Sequence, residues 1–424
     1  MAGQGVGATR VPFAVVDEIA RHCADDREPN TVHIEIHLPG RVEPVRLREA
    51  FAQALARHPR VLMRERERGV LALRYEWELV GALGADAVSF PPCVPGALAS
   101  ARQRALSEAP SLFAAPPLRL EVVEEPGRDG CVLLFTVHHT ALDGPACLRI
   151  AATAAEIYGG RAAEPVPHPV RQPAVESRGA SPAVARPARV AAGRAADGPG
   201  NGMLVTELPV PRRESGAPYT VNDQLMVATA LTVADWNREQ DVPDRPLRIT
   251  MPVDDRTRGP AMPIGNGTRL VEVGFTAAET AADTDVDALL RRTAERTRAL
   301  KARPRPQLGR GASVLTAPVL PVAARAVLTR GVRRLAASWT STTLLSNIGR
   351  IPYPLDFGEA GRARAVWFSA PAGMPRGLTF TTASTGGRLH LVLRWSRALL
   401  GDEDGARLRE LFASRLAATD GEGL

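Results

Sequence analysis

The chain has 424 residues, enough for two ordinary domains, with 45% hydrophobic and 23% charged residues. That balance excludes a disordered chain, and no run of about 18 apolar residues is present to form a membrane-spanning helix. The net charge of +7 favours acidic partners, but the arginines are scattered with few aromatics between them, so nucleic acid is not an expected partner.

The elements follow in chain order. TVHIEIHLPG at 31–40 alternates like a strand and ends in a Pro-Gly turn. PVRLREAFAQALARHP at 44–59 spaces its apolar residues like a helix and stops before Pro59. RVLMRERE then reads as a strand, and LRLEVVEE and CVLLFTVHH read as two strands around the PGRDG turn at 126–130. A helix starts near Pro145 and ends at Gly159-Gly160.

Residues 161–200 are dense in Pro, Ala, Arg and Gly without a clear period, and read as a crossover linker. Beyond it, NGMLVTELPV is a strand. TVNDQLMVATALTVADWNRE is a helix with Asn222 or Asp223 near its N-cap, and LRITMPVDDR is a strand. A helix covers 285–301, and 313–338 is a broken helical region with an Arg-rich end. TTLLSNIGRI and RLHLVLRWS are strands, and GDEDGARLRELFASRLAA is a closing helix. The class is α/β, with an N-terminal lobe at 1–160, the crossover at 161–200 and a C-terminal lobe at 201–424.

Cys23, Cys93, Cys131 and Cys147 have neither CxxC spacing nor disulfide-scaffold density. The N-terminal segment lacks the basic and apolar regions of a secretory signal. A reduced, cytoplasmic location is the expectation.

The chemistry centres on CVLLFTVHHTALDGPAC at 131–147. A strand that ends in His138-His139 turns its two imidazoles to opposite faces, one outward and one into the lobe. Histidine titrates near neutral pH, so the outward ring suits removal of a proton from an attacking alcohol or amine. Asp143 is placed to brace the loop. Gly144 would remove side-chain bulk and permit close approach of a substrate. The bland reading, one buried and one surface histidine, is disfavoured by the joint pattern HHxxxDG between a strand and a helix.

This heptad resembles the signature of the CoA-dependent acyltransferase superfamily, which includes chloramphenicol acetyltransferase, condensation domains of nonribosomal peptide synthetases, and polyketide-associated acyltransferases. YTVNDQLMVATA at 219–230 is similar to the family's T-x-N-D helix. MPVDDR at 251–256 is similar to its P-V-D-x-R strand, IGNGT at 264–268 to its G-N turn, and LLSNIGRI at 344–351 to its S-N-x-G strand. The resemblance spans roughly 31–415. DFGEAG at 356–361 departs from the plant-type DFGWG motif, which favours the condensation-like branch.

The resemblance implies two chloramphenicol acetyltransferase-like lobes in a V, with an active-site tunnel between them. It implies His139 as the base and His138 as its structural neighbour. It also implies a bridge from Asp143 to Arg256; read without it, Arg256 is a solvated loop charge. Ser346 and Asn347 become tunnel-lining candidates. The donor would be a phosphopantetheine thioester, on a carrier protein or CoA, with no bound cofactor and no metal. An acyl or peptidyl carrier protein and a small-molecule acceptor are the expected partners of a monomer that uses no acyl-enzyme, since no GxSxG elbow is present. The rivals are a catalytically silent carrier-binding scaffold and a same-fold enzyme that cyclises a tethered intermediate.

Three weaker features remain. His33 and His37 share a strand face, but with no third ligand a metal site is not expected. The Arg-rich RAVLTRGVRR at 325–334 suits a carrier protein, the phosphates of CoA, or plain solvent. Stable membrane association is not expected, because prolines interrupt the apolar face of that region.

Overall fold

The computed structural model describes residues 9–81, 86–161, 186–194, 196, 198–259, 261–303, 307–308 and 310–420. Through residue 160 the chain runs β1 (Arg10–Pro12), α1 (Val15–His22), β2 (Thr31–Leu38), α2 (Pro44–Arg57), β3 (Met63–Glu65), β4 (Glu76–Leu79) and β5 (Val88–Ser89). It continues with α3 (Ala97–Ser107), β6 (Leu118–Val123), β7 (Cys131–His138) and α4 (Gly144–Tyr158). β2 is buried on both faces because helices cover both sides of its sheet. α2 and α4 close one side around Phe51, Phe135 and Ile150, and α3 lays Leu98, Ala101 and Ala105 on Val123 and Leu134 at the other. The RVLMRERE stretch yields only the short β3, because a turn of 3-10 helix takes Pro59–Val61.

The later chain runs β8 (Asn201–Pro209), α5 (Val221–Glu239), β9 (Leu247–Asp254), β10 (Thr268–Phe275), α6 (Val286–Ala302), α7 (Arg310–Leu315) and α8 (Val322–Leu335). β11 (Thr343–Arg350), β12 (Ala365–Ser369), β13 (Leu378–Thr385), β14 (Arg388–Ser396) and α9 (Asp402–Ala417) complete it. Six of these strands form one sheet in the order β10-β9-β11-β13-β14-β8. Its core gathers Leu231, Trp236, Phe380, Trp395 and Phe412 beneath α5 and α9. The N-cap of α5 is Thr220, with Asn222 and Asp223 close to it in the first turn. Asp223 sits at the third helical position and accepts both the Thr220 backbone N–H and its hydroxyl at 2.8 Å.

β12 does not join that sheet. After β11 the chain leaves it, and β12 adds antiparallel to β2 at the edge of the first sheet, ordered β12-β2-β7-β6-β5. The chain then returns as β13, parallel to β11. A second tie is Arg394 on β14, fully buried, whose guanidinium donates to Asn201 Oδ1 and to the carbonyls of Pro29 and Thr31 at the start of β2.

Most of the expected crossover, 162–185 with 195 and 197, lies outside the described residues. The described stretch 188–191 packs into the second core, where Trp236 Nε1 donates to the Ala191 carbonyl at 3.0 Å and Ala188 N donates to the Pro246 carbonyl at 2.8 Å.

Candidate active site

β7 delivers the histidine pair to the end of the first sheet. His138 N donates to the Pro117 carbonyl and His139 N to the Asn30 carbonyl, so the strand end is fixed before the loop begins. The two rings then divide. His138 is buried, and its Nδ1 accepts the Thr140 backbone N–H at 3.2 Å. A nitrogen that accepts is unprotonated, so this ring is neutral with its proton on Nε2. Burial, reinforced by the positive charge of Arg21 and by His139, holds its pKa down to about 3. His138 therefore serves as packing, not as a base.

His139 is half-buried, and its Nδ1 lies 3.1 Å from the Leu142 carbonyl. A carbonyl oxygen only accepts, so Nδ1 carries a proton, and in the neutral ring the lone pair falls on Nε2. This is the tautomer a general base requires, and it is set by a backbone group three residues away.

Neutral burial of histidine carries a pH signature. His22 and His58 are also held to about 4 by burial and neighbouring arginines, and His33 well below its ordinary value by burial and Arg394. These rings stay unprotonated in the fold but protonate in the unfolded chain below about pH 6.5. Their stabilising contribution is present above that pH and drains as pH falls towards the folded values. For each ring the unfolding free energy should drop as pH falls from about 6.5 to 5, steepening towards a limit of about 1.4 kcal/mol per pH unit. Urea midpoints across that range give the slope, and a flat profile would contradict the neutral assignment.

Asp143 is the N-cap of α4, its Oδ1 accepting from Ala146 N at 3.0 Å. Its Oδ2 accepts from Arg256 Nη2 at 2.7 Å and from the backbone N–H groups of Gly267 and Thr268 at 2.8 and 3.3 Å. Arg256 is no solvated loop charge: it donates Nε to Asp254 Oδ1 at 2.8 Å and Nη1 to the carbonyls of Pro263 and Gly265. Burial works against its charge, but the Asp143 and Asp254 carboxylates outweigh it, so its pKa is raised above the ordinary arginine value. The loop between β9 and β10, together with the first residue of β10, thus closes on the heptad.

Two residues of this clamp escape a reading of the heptad alone. Asn266 Nδ2 lies 2.9 Å from Asp17 Oδ1 on α1, 3.1 Å from the His139 carbonyl and 2.9 Å from the Thr140 carbonyl. Asp17 is buried, which raises its pKa, and its Oδ2 accepts from Trp77 Nε1 at 3.1 Å. The IGNGT turn carried a signal for Asn266, whereas nothing around Asp17 marked it. Gly267 in the same turn is obligatory, since an added Cβ would stand 2.4 Å from Arg256 Nε.

Gly144 has a different task from the one its position suggested. A Cβ there would meet Phe368 Cζ at 1.8 Å, so the space is filled by a β12 ring rather than kept for substrate. Gly144→Ala should cost about 1–3 kcal/mol of stability through overpacking. The same change in a Phe368→Ala background should cost clearly less, as urea unfolding of the four-protein cycle would measure.

Ser346 and Asn347 lie on β11 in the second sheet, and no hydrogen bond joins either to the heptad among the described residues. Asn347 Oδ1 accepts from Gly349 N at 2.8 Å and Thr382 Oγ1 at 3.1 Å, and its Nδ2 donates to Asn222 Oδ1 at 3.4 Å. The T-x-N-D and S-N-x-G segments, far apart in sequence, therefore meet. His33 and His37 take protein partners: His33 Nε2 lies 2.8 Å from both Thr31 Oγ1 and the Ala105 carbonyl, and His37 Nε2 lies 3.2 Å from Glu35 Oε2.

No family model matches the chain. Two uncharacterized proteins of Mycobacterium tuberculosis, Rv2305 of strain H37Rv and MT2362 of strain CDC 1551, are each 29% identical over 423 residues, 91% of this chain and 94% of theirs. The condensation domain from Monacolin K polyketide synthase superposes with a TM-score of 0.63 at 14% identity, covering 98% of both chains. A mutant starter condensation domain of rhizomide synthetase, in complex with C8-CoA and Leu-SNAC, gives 0.64 at 16% identity over 97% of this chain and 94% of that one. The epimerization domain from the third module of tyrocidine synthetase B gives 0.61 at 15% identity over 99% and 97%. The chain has the condensation-domain fold.

Proposed function

We propose that this chain is a stand-alone condensation-type acyltransferase, moving an acyl or aminoacyl group from a phosphopantetheine thioester to an alcohol or amine in natural-product biosynthesis. The observation that carries the reading is the His139 ring, whose protonated Nδ1 is tied to the Leu142 carbonyl and whose Nε2 is left basic. Nε2 takes the proton from the attacking hydroxyl or amine as its lone pair adds to the thioester carbonyl. The tetrahedral adduct collapses by breaking the C–S bond, and the departing thiolate recovers the proton from the imidazolium. The Leu142 carbonyl stabilises that cation while it exists.

Asp143, Arg256 and Asn266 hold the loop rather than touch substrate, since their polar contacts run from Asp143 to Arg256, on to Asp254 and Asp17, and to backbone. In this reading the parts at 1–160 and 201–424 form two lobes in a V around a tunnel, with Ser346 and Asn347 lining it. The donor comes on an acyl or peptidyl carrier protein or as acyl-CoA. The chain works as a cytoplasmic monomer on substrates supplied from outside it.

The fold also serves an epimerization domain, so dependence on an acceptor is the discriminating result. Carrier-bound and CoA thioesters, each offered with alcohol and amine acceptors, should lose their acyl group only in the presence of the right acceptor, as intact mass would detect. Carrier binding without turnover across a broad panel would instead support the silent scaffold. Release of a ring from a tethered chain without an added acceptor would support cyclisation.

A further inference from the structure

The α7–α8 pair is turned the wrong way round for a helix facing water. α8 buries Val322, Arg325, Ala326 and Thr329 against the body of the protein. The opposite, solvent-facing stripe carries Val327, Leu328, Val332 and Leu335, with Leu335 87% exposed. Pro318 and Pro321 do not interrupt this face, contrary to the sequence expectation. They lie in the turn between α7 and α8, where Pro321 is the N-cap of α8 and Val319 is 79% exposed.

A second segment extends the same surface. The β3–β4 loop places Val70 and Leu71 at its tip, 83% and 80% exposed. This loop is bonded to α8: Val322 N donates to the Ala72 carbonyl at 2.8 Å and Arg325 Nη1 to the Leu73 carbonyl at 2.9 Å. An apolar loop tip is thus held beside the first turn of the helix that carries the apolar stripe, from residues some 250 apart in sequence. Exposed aliphatic side chains gathered on one face of a protein mark an interaction site.

The α7–α8 pair itself carries charge of one sign. Between Glu295 and Asp356 the sequence contains no acidic residue, and every charged side chain there is basic. Arg325 is consumed internally by Glu18 at 2.7 Å, and Arg333 by the carbonyls of Cys23 and Met374. Arg330 and Arg334 remain exposed and edge the apolar stripe. Glu67, at the base of the β3–β4 loop, is the nearest acid in sequence to the loop tip.

We propose that this face seats the protein reversibly on an anionic lipid surface, with the Val70-Leu71 tip and the Leu328/Leu335 stripe entering the headgroup boundary and Arg330 and Arg334 meeting lipid phosphates. Apolar insertion combined with cationic attraction is what peripheral membrane contact requires. No helix among the described residues is long and apolar enough to cross a membrane, so the contact is one of lying on, not spanning. The inference does not depend on the acyl-transfer reading.

Co-sedimentation tests it, with vesicles of phosphatidylcholine alone against vesicles of phosphatidylcholine and phosphatidylglycerol in equal amounts. The wild type should sediment with the anionic vesicles, far less with the neutral ones, and less as salt is added. Leu71→Ser with Leu335→Ser should weaken binding by roughly tenfold or more. Arg330→Ser with Arg334→Ser should weaken it by roughly fivefold per arginine. All four side chains are exposed, so the variants should keep the wild-type urea midpoint. A wild type left in the supernatant with both vesicles at low salt would overturn the proposal, as would binding that neither pair of changes alters. Light scattering supplies a third outcome: a dimer that Leu71→Ser with Leu335→Ser dissolves would assign the face to a second copy of the chain instead.

Discussion

His139→Ala is expected to lower kcat/KM for acyl transfer by roughly a hundred- to ten-thousandfold, with the fold intact. Among the described residues the ring makes one hydrogen bond, to the Leu142 carbonyl, and it is only partly buried, so its removal opens no large cavity. What is lost is the one nearby nitrogen that combines a free lone pair with a tautomer set by the backbone. The adjacent ring cannot replace it, because His138 spends its Nδ1 on Thr140 and is held neutral to about pH 3 by burial. His138→Ala should therefore register chiefly as lost stability. Intact-mass rates for both variants, beside urea midpoints, separate the two roles. Wild-type turnover by a folded His139→Ala protein would remove the base assignment and return weight to the scaffold reading.

Asp143→Ala is expected to cost about 3–5 kcal/mol, the range for breaking a buried ion pair by removing one partner. The carboxylate is buried and serves four donors at once: the α4 amide of Ala146, the Arg256 guanidinium, and the amides of Gly267 and Thr268. The lost cap alone accounts for about 1 kcal/mol; the larger share is a cation stranded among carbonyls with only Asp254 left to it. Arg256→Ala strands two carboxylates in turn. The double variant should be less destabilised than the sum of the singles, by up to about 3 kcal/mol, because each single leaves the other's charge uncompensated. Strict additivity in denaturant unfolding would show that the bridge does not couple the two halves.

Local pattern foretold much of this molecule. The alternation in TVHIEIHLPG became β2, the helical spacing of 44–59 became α2, and the PGRDG turn joined β6 to β7 as a hairpin. The heptad fell where a strand meets a helix, and the S-N-x-G and P-V-D-D-R segments became β11 and β9 with its following loop. Where expectation and structure part, a distant group is the reason. Gly144 reads as room for substrate until Phe368 arrives from β12. Residues 365–369 read as part of the later half until they pair with β2. The arginines of 325–334 read as a docking face or as plain solvated charge until Glu18 takes Arg325 inward.

The sequence by itself determined the elements and the position of the reactive pair, because periods of 2 and 3.6 residues and turn chemistry are properties of short stretches. It also carried the fold, through the heptad and the weak motifs arranged in order around it. The resemblance already pointed to His139 as the base and to the Asp143–Arg256 bridge; only the tertiary structure decided why the His138 ring is neutral, that the amides of Gly267 and Thr268 and the Asn266–Asp17 pair join the clamp, and which face of α8 meets water. Those outcomes rest on contacts such as Asn266 to Asp17, 249 residues apart. Burial and charge compensation are set by whatever the fold brings alongside, and no window of sequence contains both partners.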